Sequence, residues 1–248
     1  QLASASDDST VRLWNLTNLK STSTILEGFT ANVNSVTYSP DGQQLASTIS
    51  LTVRLLDLTN QEVTPTILEG DATVVSSVAY SLDGQQLASG NLGGTIWLWD
   101  LTNLEATPFI LEGYTEGVSS VAYSPDGQQL ASANGNSTVR LWDLSDLEAP
   151  PIVLNGHTAW VWSVTYSPNG RQLASASADG TVRLWDLTNL EASPTILKGH
   201  KASVLSVAYN FDSRQLASAG YDGTVRLWDL TNPAADPIIL TGHTDWIS

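Results

Sequence analysis

Four side chains between Gly156 and Leu187 have the types that could carry chemistry: His157, Ser177, Asp179 and Trp185. A Ser, a His and an Asp are the parts of a nucleophilic hydrolase, in which the imidazole takes the hydroxyl proton and the carboxylate orients the ring. The spacing points to another use. Asp179 lies six residues before Trp185, and a set of the same kind recurs along the chain. A catalytic constellation is a single, convergent grouping, whereas a set repeated with the framework belongs to the framework. No metal centre is expected either. The three His fall in three different repeats, and no run has the spacing of a Ca²⁺ loop. The chain has no Cys, so disulfides and thiolate ligation are excluded. No phosphate-binding loop, dinucleotide fingerprint or nucleophile elbow is present, and no cofactor is expected. The expectation is a protein that is not an enzyme.

The elements that position these residues are repeats. The Trp-Asp position recurs at Trp14-Asn15, Leu56-Asp57, Trp99-Asp100, Trp142-Asp143, Trp185-Asp186 and Trp228-Asp229, with spacings of 42 and then 43 residues. The Gly-His position recurs with the same spacings at Gly28-Phe29, Gly70-Asp71, Gly113-Tyr114, Gly156-His157, Gly199-His200 and Gly242-His243. A fixed period of this length marks a repeat architecture. Within the unit of Trp185, alternation predicts strands over Val161–Tyr166, Gln172–Ser177, Thr181–Asp186 and Thr195–Leu197, here termed a to d in order. The a–b turn is Ser167-Pro168-Asn169-Gly170, whose Gly supplies a positive φ; Asp212-Ser213 departs from that chemistry. The b–c turn is Ala178-Asp179-Gly180. No stretch sustains a 3.6-residue period, so almost no helix is expected. Small residues in each Leu-Ala-Ser run let a neighbouring sheet approach. The Arg of strand c, such as Arg183, is expected to lay its stem along the sheet and carry its charge outward.

These residues resemble the WD40 family of β-propellers, of the highly repetitive bacterial type, and the resemblance covers essentially the whole chain. It implies an all-β fold of six four-stranded antiparallel blade units, centred on Trp14, Leu56, Trp99, Trp142, Trp185 and Trp228, in one domain spanning residues 1–248. It also implies a buried tetrad in which Asp accepts from His, His meets a hydroxyl, and the hydroxyl meets the indole N–H. Either Ser175 or Ser177 could be the hydroxyl; Ser177, nearer the turn, is preferred. His200, Asp222 and Trp228 form a second set, with Gly220 at the corresponding Ser position. His243 at one end and Ser6, Asp8 and Trp14 at the other complete a further set if the terminal segments pair to close the ring, sharing the first blade between both termini. The unit of Leu56 has lost both His and Trp, so restoring Trp there is expected to change little.

In this family the d–a and b–c loops share a rim around the channel mouth. The d–a loops vary between units whose strands are nearly the same. Trp160, Trp162 and Trp246 occupy such variable positions, and Tyr114 and Tyr221 lie nearby. These five are the candidate surface for a protein or peptide partner. The formal charge of −15, from 25 acidic and 10 basic residues, argues against nucleic acid and against an anionic membrane. It also keeps a repetitive β protein soluble. The expectation is a non-catalytic interaction scaffold within a larger signalling or sensor protein, cytoplasmic and monomeric. The chain begins inside a unit without Met and is read as a piece of a longer product. One alternative is a structural or engineered fragment of a propeller with seven or more blades. Another is an enzyme working at the channel mouth.

Overall fold

Each Leu-Ala-Ser run is small or apolar at every position and therefore forms a strand covered on both faces. In the computed structural model, which describes residues 1–17, 22–26, 29–60, 64–70, 73–112 and 116–247, the second to fifth runs are almost wholly buried, as in Gln44–Ile49 and Gln172–Ser177, and the last, Gln215–Gly220, alternates buried residues with half-buried or exposed ones. No helix occurs among the described residues, so none is long and apolar enough to cross a membrane.

The strands fall into six antiparallel sheets, each a blade unit of the propeller type, distributed over two compact units, Gln1–Tyr114 and Thr115–Ser248. The first unit holds β1 (Leu2–Ala5), β2 (Val11–Trp14) and β3 (Thr24–Leu26) in one sheet. Its second sheet is β4 (Val33–Tyr38), β5 (Gln44–Ile49), β6 (Thr52–Asp57) and β7 (Thr66–Glu69). Its third is β8 (Val75–Tyr80), β9 (Gln86–Asn91), β10 (Ile96–Asp100) and β11 (Phe109–Leu111). The second unit repeats the pattern with β12 (Val118–Tyr123), β13 (Gln129–Asn134), β14 (Val139–Asp143) and β15 (Ile152–Leu154). Then follow β16 (Val161–Tyr166), β17 (Gln172–Ser177), β18 (Thr181–Asp186) and β19 (Thr195–Lys198), and finally β20 (Val204–Tyr209), β21 (Gln215–Gly220), β22 (Val225–Asp229) and β23 (Ile238–Leu240).

Within each unit the sheets stack face to face. Ala174, Ala176, Val182, Leu184 and Leu197 of one sheet bury against Val204, Val207, Leu216 and Trp228 of the next. The first unit uses the same positions, with Ala46, Val53, Leu55 and Leu68 against Val75, Val78, Leu87 and Trp99. The alanines are what allow this approach, because any larger side chain there would hold the sheets apart.

Two differences from expectation appear at this level. The sheet of β1–β3 has three strands among the described residues, not four. The strand-c arginines also do not all carry their charge outward. Arg226 is only 6% exposed, with Nη2 3.9 Å from the Asp222 carboxylate. A Cβ on Gly199 would fall 2.6 Å from its Nη1, and one on Gly156 would fall 2.6 Å from Nη1 of Arg183. The Gly before His157 and the Gly before His200 are therefore the spaces into which these guanidinium groups fold.

Candidate functional site

The His, Ser, Asp and Trp of the fifth and sixth sheets come together as closed hydrogen-bonded sets. Register determines which hydroxyl takes part. Strands β17 and β18 pair Leu173 with Trp185 and Ser175 with Arg183, so the indole reaches the residue one diagonal step away, Ser175. Trp185 Nε1–H donates to Ser175 Oγ at 2.9 Å. His157 Nε2 lies 2.8 Å from the same oxygen, and its Nδ1 lies 2.8 Å from Asp179 Oδ2. A carboxylate only accepts, so Nδ1 carries the proton, and Nε2 accepts from the Ser175 hydroxyl.

This corrects the preference for Ser177. Ser177 shares a face with Ser175, but it sits two residues further from the indole and does other work. Its hydroxyl bonds the carbonyl oxygens of Ala159 and Trp160 at 3.1 and 3.0 Å and accepts the Asp179 N–H. It straps the d–a loop to the b–c turn.

The same shift of two residues makes the sixth sheet's set complete. Trp228 Nε1–H donates to Ser218 at 2.8 Å, His200 Nε2 meets Ser218 Oγ at 2.8 Å, and His200 Nδ1 lies 3.0 Å from Asp222. Gly220 is thus not a missing hydroxyl. Ser175 is the less favoured of the two candidates, and Ser218 and, in the first sheet, Ser4 are the members that sequence reasoning missed. The diagonal reach of an indole across the b–c hairpin would have found them.

Elsewhere only part of the set remains. Trp99 donates to Ser89, Trp142 to Ser132, and Trp14 to Ser4. Ser6 is therefore not the partner of Trp14; its hydroxyl accepts the Asp8 N–H. Asp8 turns to the Thr10 hydroxyl at 2.6 Å, and His243 is exposed in the other compact unit. At Leu56 the donor is absent, and the fully buried Ser47 hydroxyl has no hydrogen-bond partner.

The electrostatics of the two full sets follow from burial. Desolvation lowers the pKa of His157 and of His200, and the nearby Arg183 and Arg226 guanidinium groups push the same way against the raising influence of Asp179 and Asp222. Both rings are held neutral. Burial alone would raise Asp179, but hydrogen bonds from the Thr181 hydroxyl, His157 and the Thr158 N–H outweigh it and bring the carboxyl down to about 2. Burial likewise opposes, and the Lys201 N–H, the Thr224 hydroxyl and His200 together reverse, any rise at Asp222, which is lowered. These contacts have the connectivity of a hydrolytic triad. However, Ser175 is completely buried, and its oxygen is already engaged by an indole and an imidazole, so an acyl group has no approach to it. Among the described residues, no group of three or more His, Asp or Glu side chains is placed to hold a metal ion.

The variable d–a loops are built on one shared device. Their carbonyl oxygens accept b–c turn N–H groups at Val74 from Leu92, Gly117 from Gly135, Trp160 from Ala178 and Ser203 from Tyr221, all at 2.8–2.9 Å. The backbone is pinned, so the side chains are free to differ. Trp162 stands at the register shift that begins strand a and stacks on Trp160, with centroids 5.2 Å apart and planes 18° from parallel. Both are half-buried, and their indole nitrogens are out of contact with solvent. Trp160 rests over the b–c turn of the preceding sheet, where a Cβ on Gly135 would come 3.1 Å from its ring.

The equivalent of Gly135 in the last sheet is Tyr221, and the equivalent of Trp160 is Trp246. There the two rings pack on each other at 5.6 Å, 51% and 48% exposed. Gly lets one Trp sink; Tyr lifts the other. Tyr114 lies outside the described residues.

Comparison with known proteins agrees with this geometry. The family model "WD domain, G-beta repeat" matches residues 1–15, 20–55, 63–100, 106–143, 149–186 and 192–229. No curated protein matches the chain.

Proposed function

Because the chain belongs to the WD40 repeat family, whose propellers generally bind proteins or peptides, we propose that it is a non-catalytic scaffold presenting its d–a and b–c loops to a protein or peptide partner. The observation that carries this reading is the Tyr221–Trp246 pair, which stands half-exposed on the last of a set of loops whose side chains vary while four of them hold their backbone by the same bond to the b–c turn. The His, Ser and Asp whose types suggest hydrolysis are consumed by their own hydrogen bonds. Trp160 and Trp162 contribute a packed floor, and Trp246 with Tyr221 contributes the exposed contact. The charge of −15 favours a basic partner and disfavours nucleic acid and anionic membrane. A monomeric chain acting in the cytoplasm, within a larger bacterial signalling or sensor protein, fits the repeat type.

The test is capture from the source cell on immobilised wild type, Trp246→Ala and Trp160→Ala. Trp246→Ala is expected to lose partners that the wild type retains, with Trp160→Ala losing fewer. Recovery of the same partners by all three at the same salt would remove the rim from consideration.

A further inference from the structure

The geometry points to a specific ligand for the exposed pair: we propose that Tyr221, Trp246 and Asp245 form a site for the guanidinium group of an arginine side chain in a basic peptide. This deepens the rim reading and rests on it. The two rings pack at a tilt of 36° with centroids 5.6 Å apart, and each is about half exposed, so ring surface of both is open to solvent. A planar cation stacks on such faces, and arginine does so better than lysine because it is flat and more weakly hydrated. The chain already uses this contact, with the Arg54 guanidinium carbon 5.9 Å from the centre of the Phe29 ring.

A carboxylate is bound to the backbone of one of the two aromatic residues. Asp245 is exposed and adjacent to Trp246; its Oδ1 accepts the Trp246 N–H at 2.8 Å, and among the described residues no hydrogen bond is found at Oδ2. The other nearby acid does not compete, because Asp222 is turned inward to His200, Thr224 and the Lys201 N–H. The loop is held close to the turn below it: a Cβ on Gly223 would lie 3.4 Å from the carbonyl oxygens of His243 and Asp245. A π face flanked by an available carboxylate, on a chain of net charge −15, is complementary to a cation and to arginine first.

The experiment is a titration of the ¹⁵N-labelled full chain with acetyl-Gly-Arg-Gly-amide, followed at the indole N–H signals. The citrulline peptide serves as the neutral isostere. The Trp246 signal is expected to shift with the arginine peptide, and citrulline is expected to bind about two- to fivefold more weakly, the size of an exposed cation–π contact. Tyr221→Ala should abolish the shift of the Trp246 signal while the remaining indole signals stay in place, which shows that the fold is kept. Asp245→Asn should weaken arginine binding without affecting citrulline. Equal binding of arginine and citrulline would overturn the guanidinium site and leave an aromatic rim. An unmoved Trp246 signal, in a chain whose cellular partners still depend on Trp246, would overturn the site and spare the rim reading. Partners that ignore Trp246 would remove both.

Discussion

A single hydroxyl shows how much one donor is worth in these sheets. In five sheets a Ser of strand b accepts an indole N–H from strand c, whether or not a His is present. Trp185→Phe keeps the ring and removes the N–H, so it should cost about 1–3 kcal/mol, read as a fall in denaturant midpoint. Ser175→Ala should cost at least as much, because it strands both an indole and an imidazole, whereas Ser177→Ala loosens only a loop strap. Equal losses for the two Ser variants would refute the assignment. Leu56→Trp runs the other way. Ser47 is buried without a partner, and position 56 is only half-buried, so an indole there has both an acceptor and room. The variant should gain about 0.5–1.5 kcal/mol, the net worth of one hydrogen bond. This replaces the sequence-based expectation that restoring Trp would change little.

At the scale of the element, the turns carry the clearest leverage. Four a–b turns place Gly at φ near +70°, and the fifth uses Ser213 at φ +60°. A side chain in that region is strained, so Ser213→Gly should raise stability by up to about 1 kcal/mol, visible as a higher melting temperature. A lower melting temperature would mean that the Ser213 hydroxyl, which accepts the Asn169 N–H at 3.3 Å, outweighs the strain. Strands and turns were the legible part of the chain, because both are written locally. Alternation and turn residues gave Val161–Tyr166, Gln172–Ser177 and Thr181–Asp186 with their observed bounds. The choice between Ser175 and Ser177 was not legible from alternation, since both point to one face; it needed cross-strand register. The differing exposure of Trp160 and Trp246 was not legible either, because it depends on Gly135 and Tyr221, which precede them by about half a repeat. The inward turn of Arg226 likewise depends on the space left by Gly199, a contact between distant positions.

For the molecule as a whole, the buried imidazoles set the response to acid. His157 and His200 have folded pKa values below the ordinary 6.5, so the unfolded chain binds those protons more tightly. Their contribution is complete above about pH 6.5 and is lost as pH falls through the lowered values. Asp179, at about 2 against an ordinary 3.8, contributes above pH 3.8 and loses that contribution as pH falls toward 2. The melting temperature should therefore decline from pH 7 to pH 5 and then drop again below pH 4. His157→Phe with His200→Phe should start lower and flatten the first decline. A wild-type melting temperature that holds level between pH 7 and pH 5 would contradict neutral, buried rings.

The hydrogen-bonded sets also bear on how quickly the chain can find its fold. Indole and hydroxyl are ten residues apart, hydroxyl and imidazole eighteen, imidazole and carboxylate twenty-two, and all four groups belong to one sheet and the loop that enters it. No member has to wait for a remote part of the chain. Loop closure over such spans is entropically cheap, so a sheet can nucleate alone and its neighbours can add to it in sequence. All-β proteins are usually slow because their pairings are distant. Each sheet completes its burial only when its neighbours stack on it, and pulse-labelled hydrogen exchange should protect the strand b and strand c amides before those of the d–a loops.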